Sequence, residues 1–262
     1  MPIWDIVTTH GNNRTKNMRT KTLLIAAAAM AVGVATSMAQ TTYSQNIVGY
    51  ANVPTSTAGN YYMVTVPFTM GVSNGVNEVF GTTLPDFSEV ITYDVPSQSY
   101  NIALYDSTQP TPGTSWYQSD DNTPLTTLPK VPVGAGFFLL PAGALTNTFA
   151  GSIPTAPGNS TNQVLSTAGN YYMVGSQIPY AGFVTNSSLN MVGLPDFTEV
   201  LTYDVPSQSY VIALYDSTQP TPGDSWYLSD DNTPGPCPTV SVGQGFFVLP
   251  AGSYTWTQTL NP

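Results

Sequence analysis

The sequence predicts an all-β protein of two tandem repeats of about 110 residues. Each repeat is expected to be sandwich- or barrel-like, the two related by pseudo-two-fold symmetry and preceded by a signal peptide. Three observations predict this. First, residues 56–124 return as residues 166–234 at a constant offset of 110 positions: Ser56 to Val64 reappears letter for letter as Ser166 to Val174, and Leu84 to Pro124 reappears as Leu194 to Pro234 with five changes in 41 positions. Second, Tyr, Val, Thr, Phe and Ile fill the apolar positions, and Gly, Pro, Asn, Asp and Ser separate short runs, which is strand-and-turn composition. Third, no apolar pattern of period 3.6 lasts more than two turns beyond the N-terminal region.

The elements follow in order. Asn46 to Val53 reads as a strand, then Thr57 to Asn60 as a turn, then Tyr61 to Phe68 as a second strand closed by Pro67. Val72 to Phe80 is the one stretch suited to a short helical turn. Glu89 to Val95 alternates, with Ile91, Tyr93 and Val95 on one face. Pro96 to Ser99 is a tight connection, and Tyr100 to Tyr105 returns with Tyr100, Ile102 and Leu104 sharing a face, which makes a hairpin. Asn101 becomes Val211 in the second copy, as suits an outward position. A long loop, Asp106 to Pro132, leads to a strand at Val133 to Leu140, and Leu145 to Ile153 closes the unit. The second unit repeats this order to a last strand at Tyr254 to Leu260, with Val133 to Gly143 mapping to Val242 to Gly252 at an offset of 109. Pro154 to Ser166 reads as a polar linker. The apolar strand at Asn46 to Val53 has only a polar counterpart near Ala156 to Gln163, so the first unit is expected to own one strand more. That strand is expected to be free to add to a neighbour's sheet edge.

The N-terminal region carries an export signal. Arg19 and Lys21 form a basic segment, Leu23 to Val34 an apolar one, and Ser37-Met38-Ala39 a small-x-small cleavage site. The expected division is residues 1–17 as a mis-called upstream extension, 18–39 as the signal peptide, 40–154 as the first β repeat and 155–262 as the second. The apolar run is too short to span a bilayer, so the mature chain is expected to be secreted or at the cell surface, without membrane insertion. Residues 40–262 hold 14 acidic residues and a single base, Lys130, for a net charge of −13, with no His and no Arg. Nucleic-acid binding lacks its cations, Ser–His and Cys–His nucleophiles lack their base, zinc lacks imidazole, and phosphoryl transfer lacks a cationic clamp. Cys237, alone in its chain, is expected to be a half-buried free thiol.

Tyr43 to Val53 directly after the cleavage site, the strand Tyr61 to Pro67, the hairpin Tyr93-Asp94 to Tyr100, Trp116 in its loop and the late strand Gly134-Ala135-Gly136-Phe137-Phe138 together carry a resemblance. The second copy has Tyr203-Asp204, Trp226 and Gly243-Gln244-Gly245-Phe246-Phe247. The mature chain resembles uncharacterised secreted tandem β-repeat proteins of verrucomicrobial-type bacteria, with a C-terminal Gly-x-Gly-Phe-Phe strand in each repeat. The Gly-Gln-Gly-Phe-Phe element is also similar to one in β-rich modules of large bacterial surface proteins. The resemblance implies a β fold and a secreted setting, and it brings no activity.

Gly134-x-Gly136 and Gly243-x-Gly245 have no helix after them, so they are expected to ease a strand into a close-packed sheet, not to cradle phosphate. The loops Tyr105 to Pro124 and Tyr215 to Pro234 are nearly identical, through recent duplication or because their Trp residues cap the core. Their functional reading is sugar binding, in which Trp116, Tyr117, Trp226 and Tyr227 stack on pyranose faces while Asp120, Asp121, Asp230 and Asp231 bond hydroxyls. Oxygen ligation of Ca²⁺ by Asp106, Asp120, Asp121, Asp216, Asp230 and Asp231 is the other chemistry on offer, although the spacing is not that of an EF-hand. No other cofactor is expected. A two-carboxylate glycosidase is chemically possible, but Glu89 and Asp94, five apart on a strand, point to opposite faces. The expectation is a secreted, non-enzymatic structural or adhesive protein of the cell surface or extracellular matrix, partnered by itself or by glycans. The alternative is a carbohydrate-binding protein with two equivalent loop sites.

Overall fold

Two five-stranded antiparallel sheets with the same strand order dominate the computed structural model, which describes residues 47–109, 115–120, 123–154, 160–218, 225–229 and 233–260. The first sheet has β2 (Tyr62–Thr65), β6 (Gly136–Leu140), β3 (Ser88–Asp94), β4 (Ser99–Tyr105) and β5 (Trp116–Gln118), in that spatial order. The second has β9 (Tyr172–Gly175), β15 (Gly245–Leu249), β11 (Thr198–Asp204), β12 (Ser209–Tyr215) and β13 (Trp226–Leu228), also in that order. Two-stranded ribbons flank them: β1 (Val48–Thr55) with β7 (Leu145–Ser152), and β8 (Ser160–Leu165) with β16 (Tyr254–Thr259). A small pair, β10 (Gly182–Phe183) with β14 (Thr239–Val240), belongs to the second half. Among the described residues the fold is all-β apart from one short helix, α1 (Val76–Phe80). Glu78 secures that helix by accepting hydrogen bonds from the backbone N–H groups of Val72, Ser73 and Gly75.

Alternation explains how one sheet serves two cores. In the first sheet Val90 lies opposite Leu139 and Val64 opposite Phe137; these residues, with Ala103, Tyr105 and Trp116, pack into the first core beside Val76, Phe80 and Phe149. The other face carries Met63, Ile91 and Phe138, which join the second core together with Met173, Leu201 and Phe247. Both faces of the strands near β6 are therefore buried, which is why Gly136-Phe137-Phe138-Leu139-Leu140 reads as an unbroken apolar run. All described residues belong to one compact unit.

Contacts between the halves come in reciprocal pairs. The Gln98 side chain accepts from Tyr171 N (2.8 Å), and Gln208 accepts from Tyr61 N (2.8 Å). The Tyr93 ring meets Phe247 and the Tyr203 ring meets Phe138, each edge-on at 5.2 Å. Thr65 N donates to Gly243 O and Gly175 N to Gly134 O. Here the Gly-x-Gly elements take their place as close-packing devices. Gly134 and Gly243 have φ of +79° and +77°, and a Cβ on Gly136 or Gly245 would lie 3.0 Å or less from a carbonyl oxygen of the other half. At the centre Thr65 meets its own repeat equivalent, Gly175: a Cβ there would lie 2.3 Å from Thr65 Cγ2.

Several expectations are corrected. The N-terminal strand is not free, since β1 is paired with β7 over eight residues from Val48↔Ser152 to Thr55↔Leu145. Nor does the first half own an extra strand. β8, mostly polar in sequence, occupies the same role against β16, held by the backbone ladder and by Leu165, which is buried in the second core. Part of the expected linker is thus strand. The long loop after Asp106 contains β5, whose Trp116 and Tyr117 pair with Tyr105 and Leu104. The signal-peptide region lies outside the described residues.

Candidate functional site

The sequence-predicted aromatics are core residues. Trp116, Tyr117, Trp226 and Tyr227 are all buried. The indole of Trp116 packs edge-on to Tyr105 at 5.2 Å, and that of Trp226 to Tyr215 at 5.3 Å. No ring face is open to a sugar, so the expected stacking platforms are corrected to core packing. Asp106 and Asp216 are buried too, and their carboxylates are taken up locally. Asp106 Oδ1 accepts from Thr108 N and Oγ1 and Oδ2 from the Gln109 amide; Asp216 Oδ1 accepts from Thr218 N and Oγ1. The hydroxyl and backbone N–H of Thr108 hold the Asp106 carboxyl below its ordinary pKa. These are Asx-type turns, which replaces the expectation of calcium ligands for both residues. Among the described residues no three His, Cys, Asp or Glu side chains gather as a metal site. Asp120 is exposed; Asp121, Asp230 and Asp231 lie outside the described residues. Cys237 is a half-buried free thiol 3.3 Å from Thr185 Oγ1.

Of the aromatics exposed at equivalent places in both halves, the most open pair is one the sequence reading passed over. Phe87 and Phe197 are 63% and 62% exposed. Both sit at φ of +69° and +68°, a left-handed backbone that a bulky residue rarely takes. Each occupies the third place of a tight turn, Pro85–Ser88 or Pro195–Thr198, closed by a hydrogen bond of 3.2 Å from its last N–H to the Pro carbonyl. That place ordinarily belongs to Gly or Asn. The turns are held from several sides. Phe87 N donates to Tyr105 O, Ser107 N to Asp86 Oδ1 and Ala142 N to Ser88 Oγ. The second half repeats all three through Phe197, Asp196 and Thr198. The only advance signal is Pro-Asp ahead of Phe, in both copies; the sign of φ is not written in the sequence.

A comparison inside the molecule shows what is unusual here. Gln98 and Gln208 also have positive φ, +53° each, but their side chains bind the backbone of the opposite half. Their strain is offset by an internal contact. Phe87 and Phe197 join neither core, and their rings point into solvent with no such return.

A second duplicated feature lies on the β4–β5 and β12–β13 strands. A shallow open groove of about 500 Å³ runs past Thr92, Asn101, Gln118 and Asp120, walled by Leu125 and Leu128. Its counterpart of about 330 Å³ lies at Tyr210, Val211, Ile212, Leu228 and Ser229. Among the described residues no helix is long and apolar enough to cross a membrane. No family model, curated protein or solved structure matches the chain.

Proposed function

We propose that the chain is an exported, non-enzymatic adhesive protein of the cell surface or extracellular matrix, built as two repeats about a pseudo-two-fold axis. Phe87 and Phe197 are its paired contact points. The observation that carries this is the exposed phenylalanine forced into a left-handed turn once in each half. A fold that keeps such a cost twice, for a ring that joins neither core, is holding the ring outward for a partner. The reciprocal contacts between the halves support the two-repeat reading. They also make the whole unit a rigid mount for two anchors, as a bivalent binder requires. The net charge of −13 over residues 40–262 turns polyanions away, and the exposed rings suit neutral polymers or apolar surfaces.

Retention of residues 40–262 on polystyrene-coated and octyl-coated sensor surfaces tests this. Wild type should be held on at least one of them. Phe87→Ser or Phe197→Ser alone should dissociate at least tenfold faster, and the double variant should not be retained, because losing one arm of a bivalent contact removes avidity. Equal retention of the wild type and the double variant would dispose of the anchors.

A further inference from the structure

The two copies of Leu84 to Pro124 differ at five positions: Ser88/Thr198, Ile91/Leu201, Asn101/Val211, Thr114/Asp224 and Gln118/Leu228. Two of these replace an amide with a hydrocarbon, and both fall in the same place. Ala103 pairs with Gln118 across β4 and β5, and Asn101, two residues along, shares its face; Thr92 lies opposite Asn101. Asn101 and Gln118 are both exposed and line the first groove. Val211 and Leu228, related by the same register in β12 and β13, line the second. Val211 is 50% exposed, so nothing in the core asks for a hydrocarbon there. A duplication that keeps 36 of 41 positions and changes this adjoining pair together has altered a surface, not a fold.

We infer that the first groove is a binding site for a neutral glycan strand, and that the second groove, lined by Val211 and Leu228 and with Gly235 where the first half has Leu125, is not. The chemistry fits that ligand. Side-chain amides at Asn101 and Gln118 donate and accept at once, as sugar hydroxyls do. Thr92 adds a hydroxyl and Asp120 an acceptor. Leu125 and Leu128 supply an apolar wall for the ring face. No cation lines the groove, and one carboxylate does, so an anionic ligand is disfavoured. The groove is open and shallow, which suits a length of chain laid across the strands and not an enclosed small molecule. In the second groove a sugar hydroxyl would lose water without gaining a partner, a cost that selects against it.

The inference rests on the binding role proposed above, and the two fail separately, because retention through Phe87 and Phe197 does not need the groove. The test uses residues 40–262 with three neutral hexasaccharides: cellohexaose, laminarihexaose and mannohexaose. Asn101 and Gln118 side-chain amide resonances are followed by NMR, and stoichiometry is measured by calorimetry. Wild type should bind at least one hexasaccharide at one site per chain. The variant N101V/Q118L should lose that site, and V211N/L228Q, changed only outside the first groove, should keep one site. Each variant installs the pair that the other half already carries, so both are expected to fold, which thermal unfolding checks. No shift with any of the three sugars, unchanged binding by folded N101V/Q118L, or loss of the site in folded V211N/L228Q would each overturn the inference.

Discussion

At the scale of single residues, the left-handed positions divide by what their side chains do. Asn74 tolerates its φ of +49° and uses its side chain to bridge Met70 N and Phe68 O. Gln98 and Gln208 clamp the opposite half. Phe87 and Phe197 do neither. A non-glycine residue in this region costs about 1–2 kcal/mol, while glycine costs roughly 0.5–1 kcal/mol in unfolded-chain entropy. Replacing either phenylalanine by glycine is therefore expected to leave stability unchanged or raise it by up to about 1 kcal/mol. Were the ring a packing residue, its removal would instead cost about 3–5 kcal/mol. The size and sign of one substitution thus separate a presented side chain from a structural one.

At the scale of elements, turns and caps anchor the strand ends through carboxylates. Asp94 accepts from the hydroxyl and the N–H of Ser97, and these hold its pKa down. The Thr108 hydroxyl and N–H do the same for Asp106, and backbone N–H groups led by that of Gly75 do so for Glu78. A depressed folded-state value means the stabilisation is present above the unfolded value, near pH 4, and is lost as pH falls through the folded one. Thermal unfolding is therefore expected at a constant midpoint between about pH 5 and 8 and a falling one below about pH 4. Asp106→Asn should flatten part of that fall; an unchanged slope in this variant would remove the turn from the explanation.

The elements also show what was legible in the sequence. The hairpin of β3 and β4 stands where alternation and the Pro-Ser-Gln-Ser connection put it, because both signals are local. Helix α1 falls inside the one stretch suited to it. β8 was not legible. Ser160 to Leu165 carries little apolar signal, and only the presence of β16 beside it makes a strand. The same non-locality hid the fate of Trp116. A Trp beside Asp and Asn has the composition of a sugar site, but Tyr105 and the rest of the first core enclose it through contacts that composition does not encode.

At the scale of the whole molecule, the two halves meet as a surface and its near-copy, and that places a constraint on the repeat itself. Near the centre an element faces its own equivalent, and the space admits one side chain of two. Thr65 has it and Gly175 yields it. Gly175→Thr, which merely restores the repeat, is expected to destabilise the protein by about 1–3 kcal/mol through overpacking. The exchanged pair T65G/G175T should recover most of that loss, since it fills the same space from the opposite half. Chemical denaturation of the three proteins measures it. A double variant as unstable as Gly175→Thr alone would mean that the halves do not meet symmetrically. The period of the repeat was plain in the sequence. Its consequence, a unit in which the first sheet gives Met63, Ile91 and Phe138 to the second core, depends on packing that a repeat length does not specify.

The most direct test of the central claim, that Phe87 and Phe197 are held outward for a partner at a cost to the fold, is the double variant F87G/F197G. Its unfolding midpoint in denaturant and its retention on the polystyrene-coated and octyl-coated surfaces should be measured on the same preparation. The account predicts stability equal to or above that of the wild type together with loss of retention. A variant that unfolds at clearly lower denaturant, or one that is retained as well as the wild type, would contradict it.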